Sequence, residues 1–267
     1  MIFSQSLRRE LNSVAGVMFS TLFTIMVTTS LIRFLGRAAS DRIGAADVKA
    51  EEKQKADGGH KLYALARMHD DYLQLIVRDD LPATKLADLK GLRVSVGARD
   101  SGVWLIAQRL LKAARISPEA DLKVQYMDLP TSVEAMRADA LDAFFWSGGV
   151  PTDAVTDLAT TVKLRMLDLS DVLPELREEY PVYGSATLPA SAYRLEGGPV
   201  VTLVVRNFLL VNDTMSEDVA EALVRGLFQA QSGLVAASPV ARSIEVRSAI
   251  ETTPIELHPG AMRYYRD

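Results

Sequence analysis

Ser101-Gly102-Val103 stands where a short apolar run gives way to a helical repeat, and that position gives the three residues their chemistry. Leu92 to Val96 reads as a strand, Gly97 to Asp100 as a turn and Ser101 as an N-cap; Leu105, Ile106, Gln108, Arg109, Leu110, Leu111 and Ala114 continue at helical spacing. A strand, loop and helix unit of this kind aims the unpaired N–H groups and positive end of a helix beyond the strand's carboxyl edge, where a carboxylate or phosphate can sit. An ordinary capped turn has the same pattern, so a structural cap and an anion site both stay open on these residues.

Other chemistry has less to stand on. Asp70-Asp71, Asp79-Asp80 and Glu178-Glu179 are paired carboxylates, but neighbours in sequence project apart, which suits solvated turns or helix ends better than an acid and base couple. There is no cysteine, so disulfides, thiolate catalysis and thiolate metal sites are excluded. The three histidines, His60, His69 and His258, lie far apart with no ligand spacing and read as surface or packing residues. No Gly-x-Ser-x-Gly elbow, Walker loop or full dinucleotide fingerprint occurs, so the chain is expected to be no enzyme and to hold no metal or cofactor. With 30 Lys and Arg against 34 Asp and Glu, a net charge of −4, nucleic acid is not an expected partner.

The elements that must position Ser101 follow from the pattern around it. Leu62 to Arg67 and Leu73 to Arg78 read as two strands around a His69-Asp70-Asp71 turn, and Lys85 to Gly91 as one helical turn ending at glycine. Beyond the opening unit come a strand at Leu122 to Met127, a helix at Ser132 to Ala140 capped by Thr131 or Ser132, and a strand at Leu141 to Trp146 closed by a Ser147 to Pro151 turn. A helix at Thr152 to Thr161, a strand at Lys163 to Leu169 and a long apolar strand at Val200 to Leu210, read as covered on both faces, come next. Helices over Ser216 to Ala237 and Ala241 to Ala249, then a short extended piece and a last helical turn, complete the chain. Alternating strands and helices predict an α/β class with a mostly parallel sheet. Phe144, Phe145 and Trp146 read as core and hinge packing, and Tyr180, Tyr183 and Tyr193 as loop tyrosines within reach of a ligand.

Residues 13–32 form a run without charge or proline, long enough at ~1.5 Å per residue to span a bilayer core, and Arg33 and Arg37 follow it directly. An uncleaved anchor over 1–42 is expected, with a polar linker over 43–59 and a domain over 60–267. The arginines on either side lean slightly towards a cytoplasmic domain. Ser6 to Leu11 and Thr28 to Ala39, with the apolar span between them, resemble the first transmembrane helix of the lipopolysaccharide-export permease family. No other stretch is long and apolar enough for the further spans of such a permease.

A second resemblance covers about 62–267. Leu86-Ala87-Asp88-Leu89-Lys90-Gly91-Leu92-Arg93-Val94-Ser95-Val96-Gly97-Ala98, Ser101-Gly102, the Leu141 to Phe145 strand with its Gly148 to Pro151 turn, Ala154 to Ala159, and Leu257-His258-Pro259-Gly260-Ala261-Met262-Arg263-Tyr264-Tyr265-Arg266 look like the solute-binding subunits of TAXI-type TRAP transporters. The resemblance implies a type II periplasmic-binding-protein-like two-lobe fold, with a second lobe over about 80–145 and a first lobe drawn from 60–79 and 146–267. That first lobe is truncated, because the anchor and linker stand where its opening elements would be. It also implies a membrane-anchored protein of the inner membrane, single-pass, with its soluble domain in the periplasm. Its partners would be a small anionic solute, glutamate-like or a dicarboxylate, and the TRAP permease subunits. The ligand residues carried over are Ser101, Gly102, Val103, Gly148, Gly149, Pro151 and Tyr193. Asp100 and Val103 stand where that family usually has a small residue and a threonine, so Asp100 is expected to compete as a cap and to repel an anion by ~1 kcal/mol. The alternative is a chimeric or decayed product, a permease first helix joined to a binding-protein remnant that binds nothing.

Overall fold

One strand of 17 residues, β1 (Leu62–Arg78), stands in the interior of the sheet in the computed structural model, which describes residues 61–267 apart from Arg194 and Glu196. With it stand β2 (Arg93–Ser95), β3 (Lys123–Gln125), β4 (Ala143–Gly148), β5 (Leu164–Met166), β6 (Gly184–Leu188) and β7 (Val200–Asn212). They make one seven-stranded sheet of order β3-β2-β4-β1-β7-β6, with β5 also paired to β1. The helices are α1 (Gly102–Ala113), α2 (Pro118–Asp121), α3 (Leu129–Arg137), α4 (Asp153–Ala159), α5 (Leu173–Glu179), α6 (Glu217–Gln229), α7 (Gln231–Ala237), α8 (Val246–Ala249) and α9 (Pro259–Arg266). The class is α/β, as expected. Among the described residues no helix is long and apolar enough to cross a membrane. The expected anchor at 13–32, the linker at 43–59 and His60 lie outside the described residues.

Several sequence expectations need correction. The sheet is mixed and mostly antiparallel: β2 runs parallel to β3 and β4, whereas β1 is antiparallel to β4, β5 and β7, and β6 to β7. Helical crossovers force parallel neighbours only where they return the chain to the same edge, which happens between residues 93 and 148. The predicted turn at His69 to Asp71 is instead the irregular middle of β1, where pairing with β7 shifts register between Arg67 and Asp70. Arg67 closes this bulge by gripping Asp70 at 2.6 and 3.2 Å, and the segment contains no glycine or proline to turn the chain. β7 is not covered on both faces throughout. Only Thr202 to Val204 are buried, and beyond Val204 its outer edge has no strand partner among the described residues.

Helix α3 starts earlier than predicted, because Asp128 accepts the Thr131 N–H at 3.0 Å and Pro130 fits the first turn, where its missing N–H costs nothing. Strand β4 extends through Ser147 and Gly148, which pair with Leu73 and Tyr72 of β1. The sheet half around β2 and β4 is covered on both sides. Leu73, Leu75, Val77 and Phe145 face α1 and α5, while Ile76 and Phe144 face α3 and α4, so successive β1 residues feed opposite cores. On the first of these sides Arg109, 8% exposed, donates to the Tyr183 hydroxyl at 2.9 Å and lies 4.3 Å from the Tyr180 ring.

The carboxyl-terminal motif is a clip. His258 caps α9, its Nδ1 accepting from the Gly260 N–H at 3.2 Å while Nε2–H donates to the Met215 carbonyl at 3.1 Å. Its backbone N–H donates to the Ala64 carbonyl at 2.9 Å, tying the clip to β1. Tyr265 reaches the Leu65 carbonyl at 3.0 Å, and burial pushes its phenol up. Arg263 meets Asp218 at 2.7 Å and also holds Glu221 on α6. Gly260 lies against the start of α6, where a Cβ would stand 2.1 Å from the Glu217 carbonyl oxygen. At the other end, Asp142 joins β4 to β2 by accepting from the Arg93 backbone at 2.8 Å and its guanidinium at 2.5 and 3.1 Å; that pairing holds its carboxyl below the ordinary aspartate range.

Two outcomes follow from these contacts. Gly260→Ala forces a methyl into the Glu217 carbonyl and should cost roughly 3 kcal/mol in a denaturant titration, near the upper end for overpacking. Since the Asp142 pKa is lowered on folding, its contribution is complete above the unfolded value of about 3.9 and is lost as pH falls through the folded one. Asp142→Asn should therefore melt below the wild type at pH 7, with the two melting temperatures converging as the pH drops below about 4.

Candidate functional site

β2 and β4 run parallel, and Ser95, the last residue of β2, pairs with Phe144 near the start of β4, so β4 continues past it to Gly148. From their ends the chain departs to opposite faces: β2 leads to α1 in one core, β4 to α4 in the other. Adjacent parallel strands whose connections diverge in this way leave a crevice beyond their carboxyl ends.

At the end of β2 stands the head of α1. Gly97, at φ +91, turns the chain tightly, and a Cβ there would meet Val103 Cβ at 2.8 Å and the Trp104 nitrogen at 2.9 Å. Only glycine lets the loop lie on the first helical turn. Ser101 is the N-cap, as predicted: its Oγ accepts from the Trp104 N–H at 3.2 Å. Asp100, at φ +61 and exposed, does not displace it as a cap. The N–H groups of Gly102 and Val103 find no acceptor among the described residues, as the geometry of a first helical turn dictates. Arg99, in the same loop, places its guanidinium 3.7 Å from the centre of the Tyr126 ring. Ser95 and Ser132 share a hydrogen bond of 2.9 Å, tying β2 to α3.

At the end of β4 stands the turn that the sequence also singles out. Gly148 ends the strand with no room for a side chain, since a Cβ would stand 2.9 Å from the Trp146 ring; Gly149 likewise backs onto Val240 at 2.9 Å. Val150-Pro151 is a cis peptide. Behind the turn a buried polar network holds it. The Tyr193 hydroxyl donates to Gln74 Oε1 and accepts from the Thr152 N–H at 2.9 Å. Gln74 Nε2 reaches the Gly148 carbonyl at 3.4 Å; the Thr152 hydroxyl donates to the Gly149 carbonyl at 2.7 Å and accepts from Trp146 Nε1–H at 3.0 Å. Tyr193 is 2% exposed, and burial raises its phenol, so it supports the turn from inside.

The seven residues picked from sequence thus fall into two groups. Ser101, Gly102 and Val103 share the head of α1; Gly148, Gly149, Pro151 and Tyr193 share the turn and its network. Sequence reasoning missed Gln74 and Thr152. The one polar residue inside Leu73-Gln74-Leu75-Ile76-Val77 was the available signal, since a buried amide in an apolar strand needs partners. The paired carboxylates do not converge: Asp70 binds Arg67 at 2.6 Å, Asp80 binds Arg78 at 3.2 Å and Glu179 binds Lys112 at 2.7 Å.

The sequence profile of the NMT1-like family matches residues 38–267. Among solved structures, the periplasmic aliphatic sulphonate-binding protein SsuA of Escherichia coli is 15% identical, with a TM-score of 0.41; the match covers 82% of this chain and 63% of that one. The periplasmic sulfonate-binding protein SsuA of Methylobacillus flagellatus KT is 14% identical, with a TM-score of 0.44, over 84% of this chain and 57% of that one. An ancestral arginine-binding protein bound to arginine is 14% identical, with a TM-score of 0.37, over 74% and 66%. The chain thus spans about six tenths of the length of the two sulfonate-binding proteins.

Tyr193→Phe leaves the Thr152 N–H and the Gln74 amide without their shared partner in a buried site. It should lower unfolding free energy by about 1–3 kcal/mol, read by urea titration, with an unchanged circular dichroism spectrum.

Proposed function

Starting from the fact that the chain belongs to the NMT1-like family, we propose that it captures a small anionic solute in the crevice beyond β2 and β4. The solute is a glutamate-like amino acid or a dicarboxylate. One carboxylate sits on the N–H groups of Gly102 and Val103 and on the Ser101 hydroxyl, whose proton remains available while its oxygen serves as the cap. The Gly148 to Pro151 turn forms the opposite wall. What supports this reading is the pair of N–H groups at the head of α1 with no acceptor among the described residues, on a loop that carries the Arg99 cation and that a tight glycine turn seats against the helix. The exposed Asp100 opposes it, since a carboxylate at the rim repels an anion, and favours the second reading of a remnant that no longer binds.

The further parts of the reading come from the sequence resemblance. The domain is tethered to the inner membrane by residues 13–32, faces the periplasm, and delivers its solute to the membrane subunits of a TRAP transporter.

The variant Gly102→Pro separates binding from folding. Proline is well suited to the first position of a helix, Ser101 before it is already extended at φ −83, ψ 160, and a Cβ on Gly102 meets nothing within 4 Å. It removes one N–H donor alone. Calorimetry of the full chain with glutamate and 2-oxoglutarate should show saturable binding that Gly102→Pro weakens by about tenfold or more, while thermal stability holds. A folded wild type that gives no heat with either compound would establish the non-binding reading.

A further inference from the structure

A half-open cavity of about 290 Å³ lies against the Gly149-Val150 turn, bordered by the bulged middle of β1, the 3-10 turn Pro239–Ser243 and α8. Its apolar wall is Met68, Val150 and Val240. Most of its polar groups are committed. Arg67 is held by Asp70 at 2.6 Å and by Glu251 at 2.7 Å, and His69 Nε2 stands 3.4 Å from Asp71. The hydroxyls of Ser243 and Ser248 donate to the carbonyls of Val240 at 2.7 Å and Glu245 at 3.1 Å. Two lining groups remain. Arg242 makes no hydrogen bond or ion pair with any described residue, and the Tyr72 hydroxyl makes no hydrogen bond to one.

The geometry points to a binding site for a small monocarboxylate with a short branched hydrocarbon body. The carboxylate is received by the Arg242 guanidinium and the Tyr72 hydroxyl, and the body lies against Met68, Val150 and Val240. Size and charge select the class. The volume is at the lower edge of ligand pockets, about 300 Å³, which favours a small solute over a drug-sized one. Only one lining cation is unspent, because Arg67 is already matched by Asp70 and Glu251. A second carboxylate on the ligand would face Asp70 without compensation. This site therefore asks for a different solute from the α1 crevice and does not depend on the reading of that crevice.

The test is isothermal titration calorimetry on the full 267-residue chain with 3-methylbutanoate, and with 3-methylbutan-1-ol as its uncharged counterpart. Saturable heat from the acid and none from the alcohol is expected. Arg242 is exposed, so Arg242→Gln should fold normally while weakening the acid by at least tenfold; Gly102→Pro should leave its affinity unchanged. Equal binding by Arg242→Gln, loss of binding in Gly102→Pro, or no heat from wild-type protein that melts cooperatively would each overturn the assignment. Glutamate binding lost in Gly102→Pro but kept in Arg242→Gln would bear on the crevice alone.

Discussion

The pairing of β1 with three different strands is the constraint on which the rest of this protein rests. Its carboxyl-terminal half carries β4 and β5, most of its length carries β7, and its start is stitched to the carboxyl-terminal clip through Ala64. Because side chains alternate along a strand, Leu73, Leu75 and Val77 are delivered to one core and Ile76 to the other. Slipping β1 by one residue would exchange the two sets and carry Gln74 out of its network. The bulge held by Arg67 and Asp70 lets so long a strand change its twist between the part that faces α6 and α9 and the part that faces α1 and α3.

Polar groups do in the turn after β4 what apolar packing does elsewhere. Gln74 on β1, Trp146 and Thr152 on either side of the end of β4, and Tyr193 come from three separate places in the chain, and together they fix two glycines that have no side chain to pack. A network of this kind is costly when incomplete and specific when complete. It sets the position of the turn on both sides at once, towards the crevice and towards the cavity under the 3-10 turn.

Local signals made the head of α1 legible in the sequence. Ser101 as cap, helix formers at the right spacing and a glycine in the preceding turn are all short-range, and the structure keeps each of them. The tail was legible as a motif but not as a clip, because the partner of Gly260 is a carbonyl on α6, more than forty residues upstream. Polar composition alone made His69 to Asp71 look like a turn; only the long partner β7 reveals one strand. Tyr183 and Tyr193 looked like exposed loop residues, but their rings lie in the two apolar cores and their hydroxyls meet Arg109 on α1 and Gln74 on β1, partners that proximity in sequence cannot supply.

The contact between Gly97 and the first turn of α1 bears on speed. A loop already seated against Val103 and Trp104 has few alternative conformations left to lose. Any anion reaching the Gly102 and Val103 amides meets them already aligned, so ordering of the protein adds little to the entropy lost on association. Encounter would then be limited by diffusion and orientation rather than by a conformational step, which is the regime a protein needs when its ligand is dilute and must soon be released again.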